Sequence, residues 1–179
     1  PKAKVVTDFG GLRWICKSLV LQKWYLRALR PTLRAQIRPS RVHSYGFRRF
    51  TSTSEVIGLL RELQFLAGAW NLPLITALQD VRTAFDSMPH QLIWESMLAR
   101  GVTNLDAGRH IRELTGMHAF ITLPFVGSTD LFEFSMGGKQ GGIETPDEWR
   151  MLVDHLLEPF IFDWSRKGYG FRMLGDDAE

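Results

Sequence analysis

The sequence predicts a single domain of the α+β class, in which helices alternate with short strands. The chain has 179 residues, enough to bury a sizeable core, and its 45% hydrophobic and 23% charged residues are ordinary for a globular protein. Two further observations shape the prediction. Several segments carry apolar residues at helical spacing, and two segments have a special character: an apolar run over residues 74–78 and a glycine-rich run over residues 137–142.

The first half is predicted to contain two helices and one strand. Apolar positions recur every three or four residues over 16–37, where Pro31 either kinks one helix or starts another. Ser52 and Glu55 have the spacing of a capping box, so a second helix should begin there. Residues 74–78 are predicted to form a buried strand that delivers the acid following it to the protein surface.

The second half is predicted to contain three helices and a hairpin. Pro89 and Gly101 mark the two ends of the first helix, and Pro146 marks the start of the last. The predicted helices cover 87–100, 107–118 and 145–167. Two short strands, 120–124 and 131–135, are joined by a turn containing Gly127, and a further strand covers 171–174.

Charge is distributed unevenly along the chain. Residues 1–50 hold 12 of the 22 Lys and Arg but only one acid, Asp8, so this segment carries +11 and the remainder −8. Four arginines recur at helical spacing and should share one face of the first helix: Arg27, Arg30, Arg34 and Arg38. Such a one-sided basic segment is typical of a surface that binds a nucleic acid, although basic faces are also often simply solvated.

Composition also bears on the cellular compartment in which the protein is expected. The single cysteine, Cys16, excludes an internal disulfide and favours an intracellular, reducing environment. No run approaches the roughly 18 apolar residues of a membrane span, and no signal-peptide core is present near residue 1, so no membrane partner is expected.

Two motifs then point to a function. Residues 80–86 read Asp-Val-Arg-Thr-Ala-Phe-Asp, and residues 137–146 read Gly-Gly-Lys-Gln-Gly-Gly-Ile-Glu-Thr-Pro. The first resembles motif A (Asp-x-x-x-Ala-Phe-Asp) and the second motif B (Gly-x-x-Gln-Gly-x-x-x-Ser-Pro) of the reverse transcriptase domain of non-LTR, LINE-type retrotransposons. Residues 45–53, with Tyr-Gly-Phe-Arg followed by Ser-Thr, resemble a third motif of that family.

This resemblance, which covers most of the chain, implies a fold and an activity. The fold would be the fingers (1–73) and an incomplete palm (74–179) of a right-hand polymerase. The activity would be RNA-directed DNA synthesis with Mg²⁺ or Mn²⁺ as cofactor. The partners would be an RNA template, a DNA primer and deoxynucleoside triphosphates (dNTPs).

The resemblance also assigns roles to single residues. Asp80 would be the catalytic metal ligand, helped by the backbone carbonyl of Val81. Phe85 would lie under the incoming sugar and exclude a 2′-hydroxyl. Gln140 and Gly141 would pack on the template and the nascent base pair, with Lys139 beside them on nucleic acid. Arg48 would hold the triphosphate, a task suited to a guanidinium group. Asp86 is interpreted as a cap of the following helix.

The sequence departs from the family in two places. Gly10 and Gly11 stand where the family commonly has Arg-Pro, so one phosphate contact of the family is either absent here or supplied by Arg13 or Lys23. The family's motif C is an Ala-Asp-Asp turn between two apolar strands, and here Asp176 and Asp177 are either that turn or a polar turn preceding it. We favour the second interpretation, under which the 179 residues lack the remaining metal ligands and do not extend a primer.

Two other interpretations stay open. The same acids fit the motif A and Gly-Asp-Asp patterns of viral RNA-dependent RNA polymerases, although the Gln-Gly of the glycine-rich run and Phe85 argue against ribonucleotide synthesis. Alternatively, the chain is a non-catalytic remnant that binds nucleic acid through its basic segment.

Overall fold

A computed structural model describes residues 15–39, 44–48, 50–123 and 127–170. Within them, helices and short antiparallel strands combine as the α+β class predicts. The elements are α1 (Val20–Gln36), α2 (Thr53–Ala69), α3 (His90–Ala99), α4 (Asn104–Thr115), β1 (His118–Ala119), β2 (Thr122–Leu123), β3 (Gly127–Ser128), β4 (Phe132–Glu133) and α5 (Thr145–Arg166). The five predicted helices are therefore confirmed, with ends that differ by a few residues.

The core lies where α3 packs against both α4 and α5, and α1 closes it on the side of α4. Each of these helices contributes buried apolar side chains from one face, as amphipathic spacing requires. The buried cluster consists of Leu29, Leu33, Met88, Ile93, Met97, Val102, Ala107, Leu114, Met151 and Leu152.

Polar contacts also join these helices. Gln36, at the end of α1, donates to the Asp106 carboxylate at 2.7 Å and accepts from the backbone N–H of Thr103 at 2.8 Å. The hydrogen bond from Gln36 is the main reason that the pKa of Asp106 is lowered. Arg100, after α3, lies 3.9 Å from Asp154 and 3.7 Å from Glu158 of α5.

The structure agrees only in part with the predictions for the first half of the chain. Pro31 lies inside a single helix, so the alternative of a second helix starting there is wrong. Helix α2 begins as predicted after Ser52, but the Ser52 side chain makes no capping hydrogen bond. Only Ala67 of α2 is buried, and the other apolar side chains of this helix are half-buried or, like Leu59 and Phe65, exposed.

The prediction of a buried strand over residues 74–78 is wrong. These residues have no regular structure, and Ile75 and Leu78 are 93% and 90% exposed. A strand is stabilised by hydrogen bonds to a neighbouring strand, and none of the described strands lies beside this run. Without a paired strand, this apolar run gains neither inter-strand hydrogen bonds nor burial of its side chains.

The predicted hairpin is confirmed in interrupted form. Strand β1 pairs with β4 and β2 with β3, both antiparallel, so the ribbon breaks between the two pairings. The register shifts by one residue across the break, where Ile121 and Thr129 exchange hydrogen bonds. The predicted strand 171–174 lies outside the described residues.

Candidate functional site

The glycine-rich run lies against the end of residues 80–86. The backbone N–H of Gly138 donates to the carbonyl of Phe85 and that of Gly137 to the carbonyl of Met88, both at 2.7 Å. A β-carbon at Gly137, where φ is +91°, would lie 2.9 Å from the carbonyl oxygen of Asp86. Only glycine tolerates both that φ and that approach, so contact with the Asp86 backbone explains the glycine at position 137.

Asp86 and Gln140 join the two segments through their side chains. The amide nitrogen Nε2 of Gln140 lies 2.9 Å from each carboxylate oxygen of Asp86. The N-cap of α3 is Pro89, so the interpretation of Asp86 as a helix cap is wrong. The carboxylate instead pairs with a residue 54 positions later, a contact that no local pattern could reveal.

Phe85 brings in a third segment. Its ring centroid lies 6.1 Å from that of Phe47 and 6.2 Å from that of Trp149, the latter in an edge-to-face arrangement. Phe47 belongs to the Tyr-Gly-Phe-Arg run and Trp149 to the first turns of α5. The three segments that the sequence singled out therefore meet around one half-buried ring.

Lys139, which was predicted to contact nucleic acid, is buried inside the protein. Its side chain is fully buried, and Nζ lies 3.3 Å from Oε1 of Glu144. The carbonyl of Lys139 accepts a 2.7 Å hydrogen bond from the hydroxyl of Thr145. The prediction of a nucleic-acid contact is therefore corrected: burial makes Lys139 an internal anchor of the loop, with no surface to offer a phosphate. Thr145 is the first residue of α5, and the N-cap of that helix is Glu144.

A buried polar pair, His110 and Glu148, lies against the glycine-rich loop. Nε2 of His110, on α4, lies 2.6 Å from Oε1 of Glu148, and both side chains are almost fully buried. A β-carbon at Gly138 would lie 2.9 Å from Oε2 of the same glutamate. Local sequence patterns do not link Glu148 to His110, because the two residues lie 38 positions apart in the chain.

A second pair of contacts joins α1 to the start of α5. Nε of Arg30 and Nη2 of Arg34 lie 2.8 and 2.9 Å from the carboxylate oxygens of Asp147. Burial alone would raise the pKa of Asp147, but the hydrogen bonds from Arg34 and Arg30 outweigh it, and the pKa is lowered. The pKa of Arg34 is raised by the same hydrogen bond. Two of the four arginines predicted to bind nucleic acid thus also hold the protein together.

The remaining predicted basic residues face solvent. Arg27, Arg38 and Arg48 are all exposed.

The glycine-rich loop also contacts the segment before α1. Gly141 has φ of +98°, and the carbonyl of its neighbour Gln140 accepts a 2.8 Å hydrogen bond from the backbone N–H of Cys16. The loop is therefore also attached to the segment that leads into α1.

The predicted metal ligands are not assembled in the described residues. Asp80 is exposed and Val81 is 48% exposed, while Asp176 and Asp177 lie outside the described ranges. Within those ranges, no three side chains of His, Cys, Asp or Glu are grouped to hold a metal ion. A two-ion site needs about three carboxylates, so the described residues do not by themselves fit one.

Comparisons with known proteins do not add a family assignment. No protein-family model matches the sequence, and no curated protein matches it either. In the part of the chain that the structure describes, no helix has both the length and the apolar character to cross a membrane.

Proposed function

We propose that this chain is the fingers and part of the palm of a reverse transcriptase of the non-LTR type, a domain that binds an RNA template, a DNA primer and a dNTP. The observation that carries the proposal is the meeting of residues 45–48, 80–86 and 137–146 around Phe85. In the resemblance these segments are the triphosphate motif, motif A and motif B. A nucleotide site requires all three at one place, and chance similarity does not require any of them to touch.

Phe85 is the proposed selector of deoxynucleotides. Phe47 and Trp149 brace its ring from two directions, and the Gly138 hydrogen bond holds its backbone. These contacts oppose displacement of the ring by an extra hydroxyl group. Steric exclusion of a 2′-hydroxyl depends on such rigidity, because a mobile ring would simply yield.

The other proposed contacts lie around this ring. Arg48 follows Phe47 directly and would hold the triphosphate with its exposed guanidinium group. Gln140 and Gly141 would face the template and the nascent base pair. Asp80 and the carbonyl of Val81 would be ligands for Mg²⁺ or Mn²⁺, the ions that suit hard oxygen donors.

A second candidate function is a nucleic-acid-binding protein without catalysis. The exposed position of Asp80, without two further acids grouped beside it in the described ranges, favours this candidate. Both functions predict binding of an RNA–DNA duplex, and they differ only in synthesis. The viral RNA polymerase alternative is weaker, because the braced Phe85 would oppose a ribonucleotide.

Primer extension and duplex binding together test the proposal. The 179-residue protein and its Asp80→Ala variant would be assayed on an RNA template with a DNA primer, with Mg²⁺ or Mn²⁺. We expect duplex binding by both proteins and no extension by either. Extension that is lost in the variant would establish catalysis by these residues alone. Failure to bind the duplex at about 50 mM salt would contradict both candidate functions.

A further inference from the structure

The Asp86–Gln140 contact determines which end of the Gln140 amide faces outward. An ionised carboxylate only accepts hydrogen bonds, so the group facing Asp86 must be the NH₂ group of the amide. The usual ambiguity between amide nitrogen and oxygen is therefore removed by the chemistry of the partner. In the described ranges no donor lies on Oε1 of Gln140, which leaves this oxygen as the group that a ligand would meet.

The backbone of Gln140 is also held. Its carbonyl accepts from the N–H of Cys16, and Gly142 N–H donates to the carbonyl of Lys139, which closes the loop around the residue. Lys139 itself is anchored by Glu144 and Thr145. The main chain of Gln140 is thus positioned without the Asp86 side chain, so the effect of the Asp86 carboxylate is confined to the orientation of the Gln140 side-chain amide.

We propose that Asp86 is a positioning residue that makes Gln140 a hydrogen-bond acceptor for a sugar hydroxyl group of the bound nucleic acid or nucleotide. This inference rests on the proposed function, because it concerns the same site. A hydroxyl group is the donor that a sugar offers: the 2′-hydroxyl of an RNA template strand, or the 3′-hydroxyl of an incoming nucleotide. An acceptor-only amide oxygen recognises either group and gains nothing from a sugar that lacks it.

The test compares ligands that differ by one type of hydroxyl group. Dissociation constants would be measured for an RNA–DNA duplex and a DNA–DNA duplex of the same sequence, and, with the duplex present, for a dNTP and its 2′,3′-dideoxy analogue. The first pair reports on the template 2′-hydroxyl and the second on the nucleotide 3′-hydroxyl. We expect one ratio to favour the hydroxyl-bearing ligand by about 2–10-fold, the range of one net hydrogen bond.

Four single substitutions and one double variant separate positioning from other effects. Asp86→Asn offers a donor as well as an acceptor and no longer sets the amide, so the ratio should fall toward one. Asp86→Glu retains the carboxylate and should restore part of it. Gln140→Met removes the amide, and adding Asp86→Asn to it should change the ratio no further, as a double-mutant cycle requires. Asp130→Asn, an exposed acid on the hairpin, is the matched control and should leave the ratio unchanged.

Each other outcome is informative. If Gln140→Met lowers the ratio and Asp86→Asn does not, Gln140 acts without Asp86 and the inference is overturned while the proposed function stands. The same holds if Asp86→Asn weakens all four ligands equally, or if the unmodified protein binds duplex with no hydroxyl preference. If the unmodified protein binds neither duplex, the proposed function itself fails and the inference fails with it.

Discussion

At the scale of single residues, Phe85 has the clearest expected effect on specificity. Replacing Phe85 with Val shortens the side chain that Phe47 and Trp149 contact, and under the proposed function it would open space beneath the nucleotide sugar. The preference for dNTP over the matching ribonucleotide should then fall, measured as a ratio of binding constants, or of incorporation in a longer chain that extends a primer. Phe120→Val, an exposed substitution on the hairpin, is the control. An unchanged preference in Phe85→Val would show that the ring does not select the sugar.

Gly137 tests the packing of the loop at the same scale. Ala at this position would need φ of +91° and would place its β-carbon 2.9 Å from the Asp86 carbonyl oxygen. We expect Gly137→Ala to lower the free energy of unfolding by about 1–3 kcal/mol, measured by urea denaturation. Gly58→Ala is the matched control, because Gly58 lies inside α2 with open space around it and Ala favours a helix by up to about 1 kcal/mol. Equal stability of the two variants would contradict the described loop.

At the scale of elements, Asp147 joins α1 to α5. The Asp147→Asn variant loses the charge that Arg30 and Arg34 share, and we expect a loss of about 1–2 kcal/mol at pH 7, reduced by the exposure of Arg34. Asp163→Asn, which removes only surface ion pairs with Arg166 and Lys167, should cost less than about 0.5 kcal/mol.

The pH dependence of this contact has a definite sign. The pKa of Asp147 is lowered in the folded protein, so its contribution is present above the unfolded-state pKa and is lost as pH falls through the folded value. The difference in stability between the natural protein and Asp147→Asn should therefore shrink in acid, below the ordinary carboxylate range near pH 4. Denaturation curves at several pH values measure this. A difference independent of pH would mean that the ion pair does not stabilise the fold.

At the scale of the whole molecule, charge asymmetry predicts how nucleic acid would bind. With +11 on residues 1–50, affinity should fall on the order of 10³-fold between 50 and 200 mM salt if about six phosphates are contacted. Arg27→Ala and Arg38→Ala should each weaken all sequences alike and reduce the salt slope by about one unit per lost contact. Arg109→Ala, an exposed arginine of α4 paired with Asp106, is the control. Binding that does not depend on salt would contradict a basic nucleic-acid surface.

Local sequence signals predicted most of the elements. Pro89, Gly101, Pro146 and Gly168 mark helix ends through fixed φ, a missing N–H or tolerance of positive φ, and these properties do not depend on the rest of the fold. Residues 74–78 show the limit of such signals. Their apolar character favours a strand, but strand formation depends on a neighbouring strand, and the described structure provides none there.

The sequence by itself determined the helices, the hairpin, the uneven charge and the three motifs, because each depends on residue type and short-range spacing. Only the tertiary structure decided that Lys139 turns inward to Glu144, that Arg30 and Arg34 bind Asp147, and that Asp86 faces Gln140. The partners in the last two contacts lie 54 to 117 residues apart, and the loop that carries Lys139 is held by residues 85–88. Burial and pairing of a polar side chain depend on what the fold brings beside it, which no local pattern contains.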